Sequence, residues 1–268
     1  MQDQEMERGI SERFGAAKRI IRAAGQIALE YFANYDDLEI ETKTSRQDTV
    51  SVADKEVETF IRAEIAKLFP LDGLIGEEHG EMDGDSDYTW VIDPIDGTAC
   101  FLHGLKSWCT VIALLKNGEP VAGLIYDATG DALYSAVRGF GAYRDERRIS
   151  VDLSTPLAGS MLAIGASRPE QSAQIGGLIA AVLGAGGVYM RNGSAALTLA
   201  HVAAGHYGGY YEPALSSWDC LAGLLIVSEA GGVADDFLAH TNVTGRGPAF
   251  AAAPQVAGEF QALIASGV

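Results

Sequence analysis

Residues 89–101, TWVIDPIDGTACF, constrain what this chain can fold into more than any other stretch. An apolar run of strand character ends in Asp93 and Asp96, which flank Pro94, and then in the pair Gly97-Thr98. Two acids three residues apart, where a buried strand runs out, are costly unless something cationic holds them. Mg²⁺ is the expected cation, because hard divalent ions take carboxylate and carbonyl oxygens. Other parts of the chain should then bring further acids to the same place.

At 268 residues the chain is one large domain or two packed ones, long enough to bury a substantial core. Hydrophobic residues at 48% and charged residues at 21% suit a globular protein. The net charge of −17 argues against nucleic acid as a partner, since no basic stripe can neutralise phosphates. An anionic substrate would need bound divalent cations to invert the local charge. Cys100, Cys109 and Cys220 are odd in number and lack CxxC spacing, so no disulfide framework or zinc site is expected. With a polar start and no apolar h-region, a cytoplasmic protein is expected. No window approaches the length of a membrane span, so no membrane association is expected.

Helical spacing of Ile10, Phe14, Ala17, Ile21, Ala24, Ala28 and Tyr31 predicts a long amphipathic helix. Residues 39–69 begin as strand and loop. They end as a second helix with Val57, Phe60, Ile61, Ile65 and Leu68 on one face, and Ser51 with Asp54 resembles a capping box. Residues 71–81 read as a short strand entering an acidic loop. From 107 to 151 the period switches to strands, with Asn117-Gly118 suited to a type I′ turn, and implies an antiparallel meander of four or five strands. Beyond residue 154 helical and strand signals alternate, an α/β pattern. A soft boundary falls near residue 152. It separates an N-terminal part, 1–152, of helices and antiparallel sheet from a C-terminal α/β part, 153–268, across one large interface.

Three further acidic positions stand in suggestive contexts. Glu77 and Glu78 follow an apolar run, Asp54 lies in the first turn of the second helix, and Asp219 starts a long apolar helix. Taken singly, Asp54 and Asp219 read equally as acids favoured by a helix dipole, and Glu77-Glu78 as a solvated loop. Together they could hold two Mg²⁺ ions roughly 3.5–4 Å apart, the spacing that clamps both oxygens of an in-line phosphoryl displacement. Asp93 is the candidate for the shared carboxylate. The chain's phosphate chemistry would then be hydrolysis of a monoester.

The strings GEE at 76–78, WVIDPIDGT at 90–98 and WD at 218–219 followed by AGLLIVSEAGG resemble the inositol monophosphatase family. That family belongs to the lithium-sensitive, Mg²⁺-dependent phosphatases that include the fructose-1,6-bisphosphatases. Lys43 and Asp54, GAS at 165–167, RNGSAA at 191–196 and YYEP at 210–213 fall in the same order as the family's counterparts. The resemblance implies a layered αβαβα sandwich mixing α/β and α+β character, and commonly a homodimer. It implies that Glu77, Asp93 and the Ile95 carbonyl hold a first Mg²⁺, that Asp93, Asp96 and Asp219 hold a second, and that Glu77 with waters supports a third. Thr98 paired with Asp54 would orient and help deprotonate the attacking water, which the metals activate for in-line attack. Gly97 and Thr98 N–H groups would cradle the phosphate. Gly193, Ser194, Ala195 and Glu212 would face the substrate, with Lys43 near the active-site loop and Glu78 beside it.

The implied substrate is a small polyol phosphate, inositol 1-phosphate first. Histidinol phosphate and fructose 1,6-bisphosphate are alternatives, and a regulatory protein without catalysis is a third reading. The chain reads GTACF where many family members read GTTNF, so Ala99 and Cys100 leave the common pattern, and Ala166 stands where some relatives carry serine. The cysteines read as small buried hydrophobes and His79 as a surface residue. His201 and His206 read as helical and structural. The tryptophans read as core, with Trp90 and Trp218 behind the metal acids.

Overall fold

The computed structural model describes residues 7–35, 40–42, 49–166 and 168–266. Helix α1 (Arg8–Phe32) buries Ala16, Ala17, Ile20, Ile21, Ala24 and Ala28 along one stripe. Ile10, Phe14 and Tyr31 lie half-buried at its margins. Strands β1 (Ile40–Thr42) and β2 (Thr49–Ser51) pair antiparallel and lead into α2 (Val52–Leu68). The buried face of α2 differs from the expected one. It comprises Ala53, Asp54, Val57, Glu58, Ile61 and Ile65, whereas Phe60 is half-buried and Leu68 is exposed. The helix turns two carboxylates inward because, as described below, both have partners there.

An eight-stranded sheet follows. Its strands are β3 (Gly73–Gly76), β4 (Gly80–Met82), β5 (Tyr88–Asp96), β6 (Cys109–Lys116), β7 (Glu119–Asp127), β8 (Ala132–Val137), β9 (Ala142–Arg144) and β10 (Arg147–Ile149). The short helix α3 (Thr98–Leu102) interrupts the chain between β5 and β6. The order β10-β9-β8-β7-β6-β5-β3-β4 makes β6 to β10 the expected meander. Asn117 and Gly118 have φ of 52° and 81°, the positive pair a type I′ turn requires. The exception to antiparallel pairing is β3, which runs parallel to β5.

The second sheet has the order β12-β11-β13-β15-β14. Its elements in chain order are β11 (Met161–Ile164), α4 (Ser172–Gly184), β12 (Val188–Met190), α5 (Ala195–Ala203), β13 (Gly209–Ser216), α6 (Ser217–Glu229), β14 (Val233–Ala234), β15 (Arg246–Ala252) and α7 (Pro254–Ala265). β11 is parallel to β12 and β13, while β15 is antiparallel to β13 and β14.

Period-two alternation separates two cores. Trp90, Ile92, Ile112, Leu114, Leu124 and Tyr126 point into the layer of α1 and α2. Val91, Val111, Ala113 and Ile125 point the other way, into a core shared with α5, α6 and the second sheet. Helices α5 and α6 pack on each other and touch both sheets, while α4 and α7 pack together over β11, β12, β13 and β15. The result is the expected αβαβα sandwich. Among the described residues no helix is long and apolar enough to cross a membrane.

Helix α6 reaches the first sheet through a glycine. A Cβ on Gly123 of β7 would lie 2.6 Å from the carbonyl oxygen and 2.8 Å from the Cα of Ala222. Both are backbone atoms, so one element would have to move. Gly123→Ala should cost about 1–3 kcal/mol by overpacking, measured as a lower urea midpoint with an unchanged m-value.

Candidate active site

Strand register brings the acids together. In the parallel pair, Gly76 of β3 lies opposite Ile92 of β5, so the next residues, Glu77 and Asp93, emerge side by side at one edge. The Glu77 N–H donates to the Ile92 carbonyl at 3.3 Å. Between Asp93 and Asp96 the pairing of β5 with β6 shifts by a bulge that contains Pro94. A bulge suits proline, which has no N–H to give the ladder. The Thr110 hydroxyl donates to the Pro94 carbonyl at 3.0 Å, and Asp93 Oδ1 accepts the Ile95 N–H at 3.0 Å.

Asp219 arrives from the far side on the first turn of α6. It forms a capping box with Ser216, accepting the Ser216 N–H at 2.8 Å. One ligand atom each from Glu77, Asp93 and Asp219 lie within 4.8 Å of one another, so this trio can hold a metal ion. Asp93 is buried, while Glu77 and Asp219 are partly exposed. Burial pushes the Asp93 carboxyl well above the usual range, and the charges of Glu77, Asp96, Asp219 and Asp54 push it further. Asp219 is raised well above its usual range by the same causes, burial first and then Glu77 and Asp96. A divalent cation reverses both effects, and an all-oxygen donor set suits Mg²⁺. The residues therefore fit the ion.

Asp96 is raised too, chiefly by burial, but donors oppose the shift. Its Oδ2 accepts the Ser194 hydroxyl and the Ala196 N–H, the latter at 2.7 Å. Asp96 thus ties the end of β5 to the start of α5, next to the trio. Ser194 is the N-cap of α5, and its Oγ also accepts the Leu197 N–H at 3.1 Å. Its side chain holds Asp96 and the helix end.

Gly97 has φ of +96°, and a Cβ there would lie 2.6 Å from the Ser107 carbonyl oxygen, so only glycine fits. Behind the turn, the Thr98 hydroxyl lies 3.4 Å from Asp54 Oδ1 and 3.1 Å from the Ile95 carbonyl. Asp54 is 1% exposed. It stands behind Thr98, outside the lining of the cavity. That cavity, of about 800 Å³, is lined by Glu77, Asp93, Ile95, Asp96, Gly97, Thr98 and Asp219 and also by Gly193, Ser194, Ala195 and Glu212. Glu212 is buried and accepts the Tyr210 hydroxyl at 2.6 Å. Burial and the neighbouring Glu212 raise the Tyr210 hydroxyl well above its usual value. A Cβ on Gly165 would come within 1.8 Å of Glu212 Oε2, so the glycine makes room for that carboxylate.

Other expectations divide. Glu78 stands outside the cavity lining, and Lys43 lies outside the described residues. Cys109 and Cys220 are buried, but Cys100 is half-exposed. His79 is exposed, and His206 lies beyond α5. Trp90 does not buttress the acids. Its indole N–H donates to Asp72 at 2.9 Å, on the helical face of the sheet. Sequence reasoning passed over Glu58 and gave no individual role to Gly165 or Tyr210, although both fall in the strings GAS and YYEP. Glu58 carried a signal, since it falls four residues after Asp54 on the stripe of Val57, Ile61 and Ile65.

The description "Inositol monophosphatase family" matches residues 10–266 of the chain. The chain belongs to that family. It is a phosphatase. A relative named "Nus factor SuhB" from Xylella fastidiosa is 40% identical over 219 residues, 81% of this chain and 78% of that one. An "Inositol-1-monophosphatase" from Mesorhizobium japonicum is 38% identical over 220 residues, 80% of this chain and 81% of that one. The crystal structure of suhB from Bartonella henselae superimposes with a TM-score of 0.90 at 31% identity, covering 96% of this chain and all of that one. The IMPase of Thermotoga maritima gives 0.84 at 28% identity, covering 96% and 98%.

The raised carboxyls imply a pH effect in the metal-free protein. A folded-state pKa above the unfolded value of about 3.9 means that the native state binds the proton more tightly. Stability then falls as pH rises above that value. Asp93→Asn removes the share of that loss due to Asp93. With chelator present, this variant should melt at a higher temperature than wild type at neutral pH, and the gap should close below about pH 4. Thermal unfolding followed by circular dichroism checks it.

Proposed function

We propose that the protein is a Mg²⁺-dependent phosphomonoesterase acting on a small polyol phosphate, inositol 1-phosphate first. The supporting observation is the convergence of Glu77, Asp93 and Asp219 on a cavity that Thr98 also lines, with Asp54 behind it. Glu77, Asp93, Asp96, Asp219 and the Ile95 carbonyl would hold two ions, with a third at Glu77. Mg²⁺ there supplies positive charge that acidifies water and offsets the charge of the phosphoryl oxygens.

The chain's own residues do the positioning. The Thr98 hydroxyl, directed at Asp54, accepts a hydrogen bond from the attacking water, and Asp54 receives the proton through it. The N–H groups of Gly97 and Thr98 hold a phosphoryl oxygen. Glu212, fixed by Tyr210, accepts bonds from substrate hydroxyls, while Gly193 and Ala195 shape the wall near the ring. Residues 1–152 thus supply most of the cation site and the proton path. Residues 153–268 supply Asp219 and the substrate contacts. The charge of −17 favours a small phosphate over nucleic acid as the ligand.

The relatives' names divide between "Inositol-1-monophosphatase" and "Nus factor SuhB". A retained Thr98–Asp54 pair supports catalysis over a regulatory role without it. We further infer a homodimer on the family resemblance alone, in the reducing cytoplasm that three unpaired cysteines suit; light scattering should return twice the chain mass of 28.3 kDa.

Phosphate release from inositol 1-phosphate, histidinol phosphate and fructose 1,6-bisphosphate, with Mg²⁺ present, should be greatest for the first. EDTA should abolish it, and millimolar Li⁺ should inhibit it. Thr98→Ala should lower kcat about a hundredfold or more with the fold intact. Release from none of the three would support the regulatory reading instead.

A further inference from the structure

We propose that Glu58 is a positioning residue that fixes the loop presenting Glu77, and so sets the affinity of the site for its cation. The inference rests on the reading of Glu77 as a cation ligand. Glu58 is fully buried in the middle of α2, one turn beyond Asp54. Its Oε2 accepts the Glu78 N–H at 2.7 Å, and its Oε1 accepts the His79 N–H at 3.2 Å. Both amides belong to the loop that follows β3. Oε1 also receives the Arg62 Nε at 2.6 Å, and Arg62 Nη2 donates to the Gly80 carbonyl at the far end of the same loop. One carboxylate–guanidinium pair therefore clamps residues 78–80 at three points.

Space is kept for this clamp. A Cβ on Gly76 would lie 2.1 Å from Glu58 Oε1 and 2.4 Å from its Cδ. No positive φ is involved, so the glycine serves the carboxylate rather than the backbone. The loop's other side is held by the Glu77 N–H on the Ile92 carbonyl. Glu77 is thus fixed between β5 and Glu58. A buried ion pair is a costly way to stabilise a fold. It is an effective way to keep a ligand within about half an ångström of where it must be. Because Asp54 and Glu58 share a helix face, the same turn of α2 places the proton acceptor and the cation ligand relative to each other.

Glu58→Gln keeps the shape but sets an amide where an acceptor faces backbone N–H groups. By analogy with partners that orient metal ligands, the Mg²⁺ Kd measured by calorimetry, without substrate, should rise about 10–100-fold. Activity should recover toward wild type at saturating Mg²⁺. Asp72→Asn is the control for lost stability. Asp72 is equally buried and paired with an arginine, Arg13, but sits before β3 rather than after it. It should melt lower yet keep the wild-type Kd. Should Glu58→Gln fail to fold, Gly76→Ala displaces the carboxylate with every charge retained and should also raise Kd. An unchanged Kd in the Glu58 or Gly76 variant, while Glu77→Ala loses binding, overturns this proposal alone. So does an equal rise in Asp72→Asn. Wild-type protein that binds no Mg²⁺, or Glu77→Ala that binds it normally, overturns the cation reading and this inference with it.

Discussion

Repulsion among carboxylates is the constraint on which the rest of the structure depends. Glu77, Asp93 and Asp219 converge; beyond the effect of burial, the charge of Glu77 raises the proton affinity of both aspartates, and Asp96 and Asp54 add to the field at Asp93. Folding alone gains nothing from such a gathering. It persists because each acid is held by an element with other reasons to be where it is. Asp93 lies near the end of the buried strand β5, Asp219 caps α6, Asp96 ties the end of β5 to the start of α5, and Glu77 follows a strand locked parallel to β5. The surrounding cores supply the free energy that keeps like charges together until a cation balances them.

The layering follows from the same requirement. Helices α5 and α6 lie between the sheets and touch both, so the site forms where the ends of β3 and β5 meet the N-termini of two central helices. Neither sheet has all the acids. The close approach of α6 to Gly123 leaves little room for the layers to slide, which keeps Asp219 in register with Asp93.

Much of this was legible in the sequence, for a physical reason. Periodicity reports which residues face a core, and motif strings report acids that a generic turn would not place together. The meander around Asn117-Gly118, the later α/β alternation and the gathering of acids around Asp93 follow from those two signals, while the αβαβα layering follows from the resemblance to the inositol monophosphatase family. What was not legible depends on pairings between distant segments. Leu68 looks like a core residue by hydrophobicity, yet is exposed because α2 turns Asp54 and Glu58 inward toward Thr98 and the 78–79 amides. Trp90 follows the alternation of β5 onto the helical side, away from the acids three and six residues on. Ser194 lines the cavity as expected, but that its hydroxyl also holds Asp96 and caps α5 depends on a pairing the sequence does not display.

The capping box of α6 carries an evolutionary corollary. Asp219 satisfies the first turn of a helix buried between two sheets, whether or not any ion is bound. A descendant that abandoned catalysis would still lose this cap on replacing it, about 1 kcal/mol for a cap of this kind, set against the repulsion that the replacement relieves. Persistence of this aspartate in a family member is therefore weak testimony that the member is an enzyme. Glu77 follows a strand and caps no helix, so drift would erase it sooner. Its presence or absence is the sharper marker for sorting active phosphatases from relatives that keep only the fold.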